Sequence, residues 1–208
     1  YKVYNGNLLY HGCVPLKEDG NLKSVRIFGR AYKGKGLYEV LESYVRKGFY
    51  AMDPKEKERG KDIMWYIWLS ENSPLFGKDK MATFERYFLS EKETHKEKKN
   101  PYYLLLEDEK VVEKILKEFG LENEDAHIIN GHVPVKCKDG ENPVKCGGKV
   151  LVIDGGFSKA YQKETGIAGY TLIYNSYGLI LAAHKPFEST EAAIEKESDI
   201  HSDSTVVK

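Results

Sequence analysis

The spacing of apolar residues changes near residue 126, and this change limits the folds open to the chain more than any other feature. Before it, apolar residues recur at helical intervals, as in residues 36–50. After it, apolar residues come in short runs rich in β-branched and aromatic side chains: "HIIN", "KVLVID", "GYTLIYN" and "GLILAAH". This order of a strand, a helical block and further strands predicts an α+β fold, or the later half of a layered α/β sandwich.

Three helices are predicted before the change. The first covers residues 36–50. The second lies around residues 61–69, where apolar residues form a helical face. The third covers residues 108–119, and Gly120 is well placed to end it. The almost wholly polar residues 90–100 predict a solvated helix or loop.

Two hairpins and a tail complete the predicted elements. Asn5-Gly6 supplies a turn within the strand-like residues 3–16, and "NSYG" at 175–178 is typical of a turn joining the last two strands. From Glu188 onward apolar residues become sparse, which predicts a polar tail that is frayed or docked elsewhere.

Composition excludes several classes of protein. The 208 residues include 32 Lys and Arg against 32 Asp and Glu, so no overall charge attracts nucleic acid or an anionic membrane. No apolar run approaches the roughly 18 residues of a membrane-spanning helix. Three cysteines, an odd number, favour a reducing compartment, and we expect a cytoplasmic protein. The chain begins at Tyr1, so we expect it to be part of a longer protein.

Two of the six histidines share a local pattern. His11 in "LLYHGCVP" and His132 in "IINGHVP" each follow apolar strand residues and precede a proline within three positions. Each is either a structural residue with a backbone hydrogen bond or a metal ligand at a strand end, and the sequence leaves both interpretations open. We expect His95 and His201 to be solvated surface residues and His184 to be a strand-edge residue.

Other polar residues have two interpretations as well. Asp154 in "VLVIDGG" is a turn aspartate or an acceptor that orients a histidine ligand. Lys78, Lys80 and Arg86 could hold a phosphate or be ordinary surface cations.

Several segments together resemble the class III fructose-1,6-bisphosphatases of low-GC Gram-positive and related bacteria: "LLYHGCVPL", "WYIWLSENSPLFGK", "MATFERYF", "ETHKEKKNPYY", "HIINGHVPVK", "VLVIDGGFSKAYQKETGIAGYTLIYNSYG" and "AAHKPF". The resemblance runs from about residue 4 to residue 190. It implies the C-terminal portion of a calcineurin-like metallophosphoesterase, a two-sheet sandwich with a helical insertion. The ligand motifs that open this superfamily, G-D-x-H-G, G-D-x-x-D-R-G and G-N-H-[DE], have no counterpart here.

The resemblance also implies roles for individual residues. His11 matches the strand-end histidine and His132 the later G-H motif, so both would bind one metal of a pair through neutral imidazole nitrogens. The implied cofactor is a binuclear Mn²⁺ centre, and the implied reaction is hydrolysis of fructose 1,6-bisphosphate to fructose 6-phosphate and phosphate by a two-metal mechanism. Asp154 would be the orienting acceptor. The second phosphate of the sugar needs a cationic site, for which the candidates are Lys78, Lys80, Arg86 and Lys136.

The resulting organisation has four parts. Residues 1–20 hold a core strand with a metal-ligand histidine, 21–125 a mainly helical insertion or cap, 126–187 the return to the core sheet, and 188–208 the polar tail. The implied partners are a sugar bisphosphate and the N-terminal part of the same protein, while homo-oligomer formation stays open.

Two alternatives remain. The protein could be a metallophosphatase for another phosphoester, or the isolated chain could be a non-catalytic regulatory or oligomerisation module. Two histidines alone would leave a pair of dications under-coordinated, so we expect the 208-residue chain to be inactive by itself.

Overall fold

The chain forms an α+β fold of two compact units. The structure is a computed structural model that describes residues 1–197 and 202–206. Its first unit is Tyr1–Ala126 and its second is His127–Lys208. The division falls where the apolar spacing changes in the sequence, and the mixture of helices and sheets confirms the predicted fold class.

The first unit carries four short strands and four α-helices. In chain order they are β1 (Lys2–Tyr4), β2 (Asn7–Leu9), β3 (Val25–Ile27), β4 (Arg30–Tyr32), α1 (Gly34–Tyr50), α2 (Pro54–Leu69), α3 (Thr83–Phe88) and α4 (Glu109–Glu118). The second unit contains β5 (Ile128–Asn130), β6 (Val144–Lys145), β7 (Val150–Val152), α5 (Lys159–Thr165), β8 (Gly169–Asn175), β9 (Gly178–His184), α6 (Thr190–Glu195) and β10 (Ser202–Val206).

Two hairpins lie in the first unit. β1 and β2 pair antiparallel around Asn5-Gly6, and both turn residues have the positive φ that a two-residue turn requires. The second hairpin joins β3 and β4 through Phe28-Gly29, again with positive φ at both positions. The sequence did not predict this second hairpin.

The predicted helices at 36–50 and 108–119 correspond to α1 and α4. The helix predicted around 61–69 is longer than expected, because α2 begins at Pro54, where the Asp53 side chain accepts a hydrogen bond from the Lys55 N–H. Its apolar residue Ile63 joins Leu37 and Leu41 of α1 in one cluster with Val25 and Ile27. The helical block is therefore held together by apolar burial.

The two long helices of this block approach each other at a pair of glycines. A Cβ on Gly60 would lie 2.6 Å from the Tyr44 carbonyl oxygen and nearer still to the backbone of Gly48. Gly48 in turn has no room for a Cβ, which would lie 2.9 Å from the Gly60 carbonyl carbon. Only glycine at both positions allows α1 and α2 to pack this closely.

The polar stretch at 90–100 forms one 3₁₀ turn, Lys92–His95, between irregular segments. Two further 3₁₀ turns, Pro101–Leu104 and Cys137–Asp139, connect other elements, and a third lies at Cys146–Gly148. The solvated helix or loop expected at 90–100 is thus a loop with a single tight turn.

The second unit contains two small sheets. β5 pairs parallel with β7, and β6 pairs antiparallel with the same strand. β8 and β9 form the predicted hairpin, with Asn175 paired with Gly178 at its end.

The tail is more ordered than its composition predicted. α6 forms at Thr190–Glu195, and β10 pairs antiparallel with β9 from Ser202 to Val206. The expectation of docking therefore holds for β10, which adds a third strand to the β8–β9 sheet. His201 lies outside the described residues.

None of the helices among the described residues combines the length and the hydrophobicity needed to cross a lipid bilayer.

The Gly48–Gly60 contact predicts the effect of an added methyl group. Gly60→Ala should lower the free energy of unfolding by about 2 kcal/mol or more, because the methyl group would push against the α1 backbone. Gly36→Ala is the matched control, since its Cβ would meet nothing within 4 Å in the same helical block. This control should be neutral or stabilising by up to about 1 kcal/mol. Urea unfolding followed by circular dichroism measures both changes, and equal effects at the two positions would contradict the close-packing explanation.

Candidate functional site

His11 is an exposed residue between neighbours that are fixed in the interior of the first unit. Tyr10, directly before it, is buried, and its hydroxyl lies 2.7 Å from the Tyr102 hydroxyl. Cys13, two residues after it, is fully buried, and its carbonyl accepts a hydrogen bond of 2.9 Å from the Tyr38 hydroxyl. The backbone on both sides of the histidine is therefore held by buried contacts.

Gly12 completes this arrangement by allowing a close contact with a second loop. The Cys13 N–H donates to the Pro74 carbonyl oxygen at 2.8 Å, and a Cβ on Gly12 would collide with that same oxygen. A residue larger than glycine would force the two loops apart and move His11 with them.

Cys13 does not supply a thiolate to this region. Burial raises the pKa of the Cys13 thiol to about 12, so the group stays neutral at physiological pH. A neutral, buried thiol is a poor nucleophile. Of the residues in the "YHGC" segment, His11 is the exposed one with a side chain that can bind a metal.

His132 occupies an unusual backbone conformation at the end of β5. Its φ is +70°, a value that few residues other than glycine adopt. The Val133 N–H donates to the Gly131 carbonyl at 2.9 Å, so a three-residue γ-turn is centred on the histidine. The positive-φ form of this turn is rare and strained. Such strain persists only where the surroundings enforce it, and it is concentrated at functional sites.

Asp154 lies at the corresponding end of the neighbouring strand. Asn130 of β5 is in register with Val152 of β7, and because the strands are parallel, His132 and Asp154 both follow carboxyl ends at one edge of the sheet. The Asp154 carbonyl accepts from the Val135 N–H at 2.8 Å, and its carboxylate accepts from the Gly156 N–H at 3.1 Å. The structure thus connects Asp154 to the His132 turn through the main chain, and its role as an orienting acceptor stays a prediction.

Three of the four predicted phosphate-binding cations have partners within their own segment. The Lys78 ammonium lies 2.8 Å from Glu97, and Lys80 donates to the Thr94 carbonyl at 2.6 Å. Arg86 lies 3.9 Å from the same Glu97 carboxylate. These contacts join α3 and the segment before it to residues 94–97, at and just after the 3₁₀ turn.

The Glu97 carboxylate is ionised at the centre of this network. Burial alone would raise its pKa, but the hydrogen bonds from Lys78 and the Ala82 N–H, together with the nearby charges of Lys78 and Arg86, lower it below the usual value. The Glu97 carboxylate therefore neutralises Lys78 and Arg86, two of the cations that the sequence predicts as candidates for binding phosphate.

Lys136 differs from the other three cations. Its residue is exposed, and within the described part of the chain its ammonium has no salt-bridge partner, while its backbone N–H donates to Glu141 at 3.1 Å. It follows the His132 turn by four residues. Of the four predicted cations, it alone combines an unneutralised charge with a position next to a predicted metal ligand.

The described residues by themselves do not make a complete metal centre. Within 1–197 and 202–206, no three His, Cys, Asp or Glu side chains are grouped so that they could hold a metal ion. The sequence motif identified the strand-end histidines, but nothing in the sequence indicated the positive φ of His132.

Comparison with known proteins places the chain in a family. Residues 1–208 match the family described as Firmicute fructose-1,6-bisphosphatase. The chain belongs to this family. The family assignment agrees with the resemblance found from the sequence motifs.

Relatives in this bisphosphatase family are much longer than the chain. A protein of Clostridium botulinum named fructose-1,6-bisphosphatase class 3 is 58% identical over 209 residues, an alignment that covers 100% of this chain and 31% of that protein. A Clostridium beijerinckii protein named fructose-1,6-bisphosphatase class 3 1 is 58% identical over 200 residues, covering 96% of this chain and 30% of its own length. The chain therefore spans about a third of the length of these relatives. No solved structure matches it.

The strained γ-turn predicts that the difference in stability between glycine and alanine variants has opposite signs at His132 and His11. At His132 the glycine variant should be more stable than the alanine variant by about 1 kcal/mol, because glycine adopts positive φ without a Cβ clash. At His11, whose φ is not positive, the glycine variant should be the less stable of the two by about 0.5–1 kcal/mol. Urea midpoints of the four metal-free variants measure both differences. The same sign at both positions would show that His132 is not strained.

Proposed function

We propose that this chain is the C-terminal part of an enzyme that hydrolyses fructose 1,6-bisphosphate to fructose 6-phosphate and phosphate. The observation that carries the proposal is the match of all 208 residues to the bisphosphatase family. Within the chain, both predicted metal-ligand histidines lie two residues after the end of a strand. The three free cysteines agree with a cytoplasmic location. The proposed reaction belongs to carbohydrate metabolism, where it is a step of gluconeogenesis.

His11 and His132 fit a divalent metal as part of a larger set of ligands. An imidazole is a suitable ligand for first-row metals, and both side chains stand at or near the surface. The backbone strain at His132 supports this role, because a strained backbone conformation is retained where it serves a site. Two nitrogen ligands leave most positions of a metal pair empty, so we propose that the remaining two thirds of the protein supply the carboxylate ligands.

The chain's own residues then have separate roles. His11 and His132 each use a neutral ring nitrogen to hold a metal in place, and Asp154 fixes the main chain of the His132 turn through its carbonyl. We propose Mn²⁺ as the metal; when bound, a metal pair supplies Lewis acidity that activates water and neutralises charge on the transferring phosphoryl group. Lys136 is placed to bind a phosphoryl oxygen through its ammonium, which has no salt-bridge partner among the described residues.

The histidine assignments are tested in the full-length protein. His11→Ala and His132→Ala should each lower metal affinity or the rate of hydrolysis at least ~10-fold, since even residues that only orient a ligand reach that scale. His95→Ala is the control, because the His95 ring contacts the Leu89 carbonyl at 2.9 Å within its own loop, and its metal content should not change. Metal content by mass spectrometry and initial rates with several phosphoesters are the measurements. Unchanged metal dependence in a variant would remove that histidine from the site.

The isolated 208-residue chain should release no measurable phosphate from fructose 1,6-bisphosphate, whereas the full-length protein should do so with Mn²⁺. The reason is that no complete ligand set exists among the described residues. Phosphate release at matched protein and metal concentrations measures the difference. Any measurable turnover by the isolated chain would contradict the proposed division of the site.

A further inference from the structure

The first unit contains an open groove whose wall is rich in lysine. It has a volume of about 340 Å³. We call it the lysine groove and define it by six of its lining residues, which are Lys17, Lys23, Lys78, Lys98, Lys99 and Asn100. Its volume lies at the lower end of the range for small-molecule sites, roughly 300–1,000 Å³.

The groove carries a local excess of positive charge. Its lining includes five lysines against three carboxylates, those of Glu18, Glu71 and Asp79, and a fourth carboxylate, Glu97, pairs with Lys78, which leaves one positive charge in excess. Three of the lysines have carboxylate partners: Lys78 with Glu97 at 2.8 Å, Lys98 with Glu18 at 3.0 Å and Lys23 with Glu71 at 3.9 Å. Within the described residues, the ammonium groups of Lys17 and Lys99 have neither a salt bridge nor a hydrogen-bond partner. These two ammonium groups are available to a ligand.

Asn100 adds a directed donor to the groove. Only 7% of this residue is exposed. Its side-chain oxygen accepts hydrogen bonds from the Leu16 N–H at 3.2 Å and the Tyr102 N–H at 3.0 Å. These two bonds fix which end of the amide is the oxygen, so the NH₂ group is the end left to donate. Among the described residues this NH₂ group has no partner, although Asn100 lines the groove. Solvent reaches this NH₂ group, so it is able to donate to an acceptor oxygen of a ligand in the groove.

The main chain around these donors is fixed. Lys78 and Lys99 form an antiparallel bridge, and the Asn100 N–H donates to the Gly77 carbonyl at 2.9 Å. One further bond runs from the Asp79 N–H to the Lys98 carbonyl, also at 2.9 Å. The backbone that carries Lys99 and Asn100 is therefore held in position before a ligand arrives, which reduces the entropy cost of binding.

We propose that the lysine groove binds the phosphoryl group of a phosphomonoester. Two ammonium groups outside any salt bridge among the described residues and an amide donor match a dianion with three acceptor oxygens. Such a group comes either from the second phosphate of the substrate or from a separate phosphorylated metabolite. Binding of the phosphoryl group does not depend on the proposed function, whereas assignment to the substrate's own second phosphate rests on it.

Titration calorimetry of the full-length protein tests the groove with inorganic phosphate and fructose 6-phosphate as probes. The titrations are run with divalent metal present and after its removal, so that phosphate bound through a metal is recognised. In the metal-free protein, the double variant Lys17→Gln/Lys99→Gln should weaken phosphate binding at least about tenfold, because two charge-assisted hydrogen bonds are lost. Asn100→Asp should weaken it as well, since the side-chain oxygen that accepts from Leu16 and Tyr102 is kept while the donor is replaced by a negative oxygen.

The matched control is Lys57→Gln/Lys110→Gln, which removes the same charge from exposed helix positions outside the groove. Its phosphate affinity should stay within about twofold of the parent protein, as expected for screened surface charges. Thermal unfolding establishes that each variant is folded, and the lysine variant remains decisive if Asn100→Asp does not fold. A parent protein that binds no phosphate without metal, or a folded lysine variant with unchanged affinity, would overturn the proposal.

Kinetics of the metal-loaded protein distinguish the two sources of the phosphoryl group. If the groove takes the substrate's second phosphate, the lysine variant should raise KM for the bisphosphate at least about tenfold. If it takes a separate metabolite, KM should stay unchanged, and phosphate should still bind at saturating substrate. Both results support the groove as a phosphoryl site, and the calorimetric result holds even if the bisphosphate is not the substrate.

Discussion

Main-chain hydrogen bonds between the ends of β5 and β7 determine how the second unit presents its polar residues. The Ile153 N–H donates to the Asn130 carbonyl and the Val135 N–H to the Asp154 carbonyl, both at 2.8 Å. Between these two anchors the chain must leave the strand and return within a few residues, and the positive φ of His132 is the result. The strain costs about 1–3 kcal/mol, and it is sustained because both ends of the turn are fixed.

In the first unit, close contacts between backbones determine where the neighbouring residues lie. At Gly12 and at Gly60, a backbone atom of another segment occupies the space that a Cβ would need. The first contact sets the path of the chain next to His11, and the second sets the distance between α1 and α2. The position of His11 therefore follows from the packing of its neighbours, and the residue itself is exposed.

Local patterns in the sequence predicted the elements whose burial is periodic. α1, α4 and the β8–β9 hairpin were all found, because an apolar face or a turn motif records how each is buried. The β3–β4 hairpin was missed because its three-residue strands are too short to show alternation and its turn, Phe28-Gly29, lacks the Asn-Gly motif that marks the equally short β1–β2 hairpin. β10 was missed because its order comes from pairing with β9, a partner distant in sequence.

The candidate site, like the fold, was predictable only where a local sequence pattern marks it. The strand-end histidines follow from a local motif, whereas the γ-turn at His132 depends on a parallel strand that comes later in the chain. Likewise, Lys78 and Glu97 are 19 residues apart, so no local pattern shows that the cation is already neutralised. Sequence alone identifies which residues carry charge, and the fold decides which charges are available.

A chain with no net charge can hold an anionic ligand where the fold leaves cations without a carboxylate partner. The 32 basic and 32 acidic residues cancel overall, so no long-range field draws a phosphorylated molecule to the surface. At physiological ionic strength, exposed charges further apart than about 8 Å are largely screened from each other. A ligand therefore experiences the local balance, which in the lysine groove, with the Lys78 partner Glu97 counted, is one charge positive. Lys17, Lys99 and Lys136 have no salt bridge among the described residues and lie in or beside the proposed phosphate sites, so their ammonium groups are placed to bind a phosphoryl oxygen.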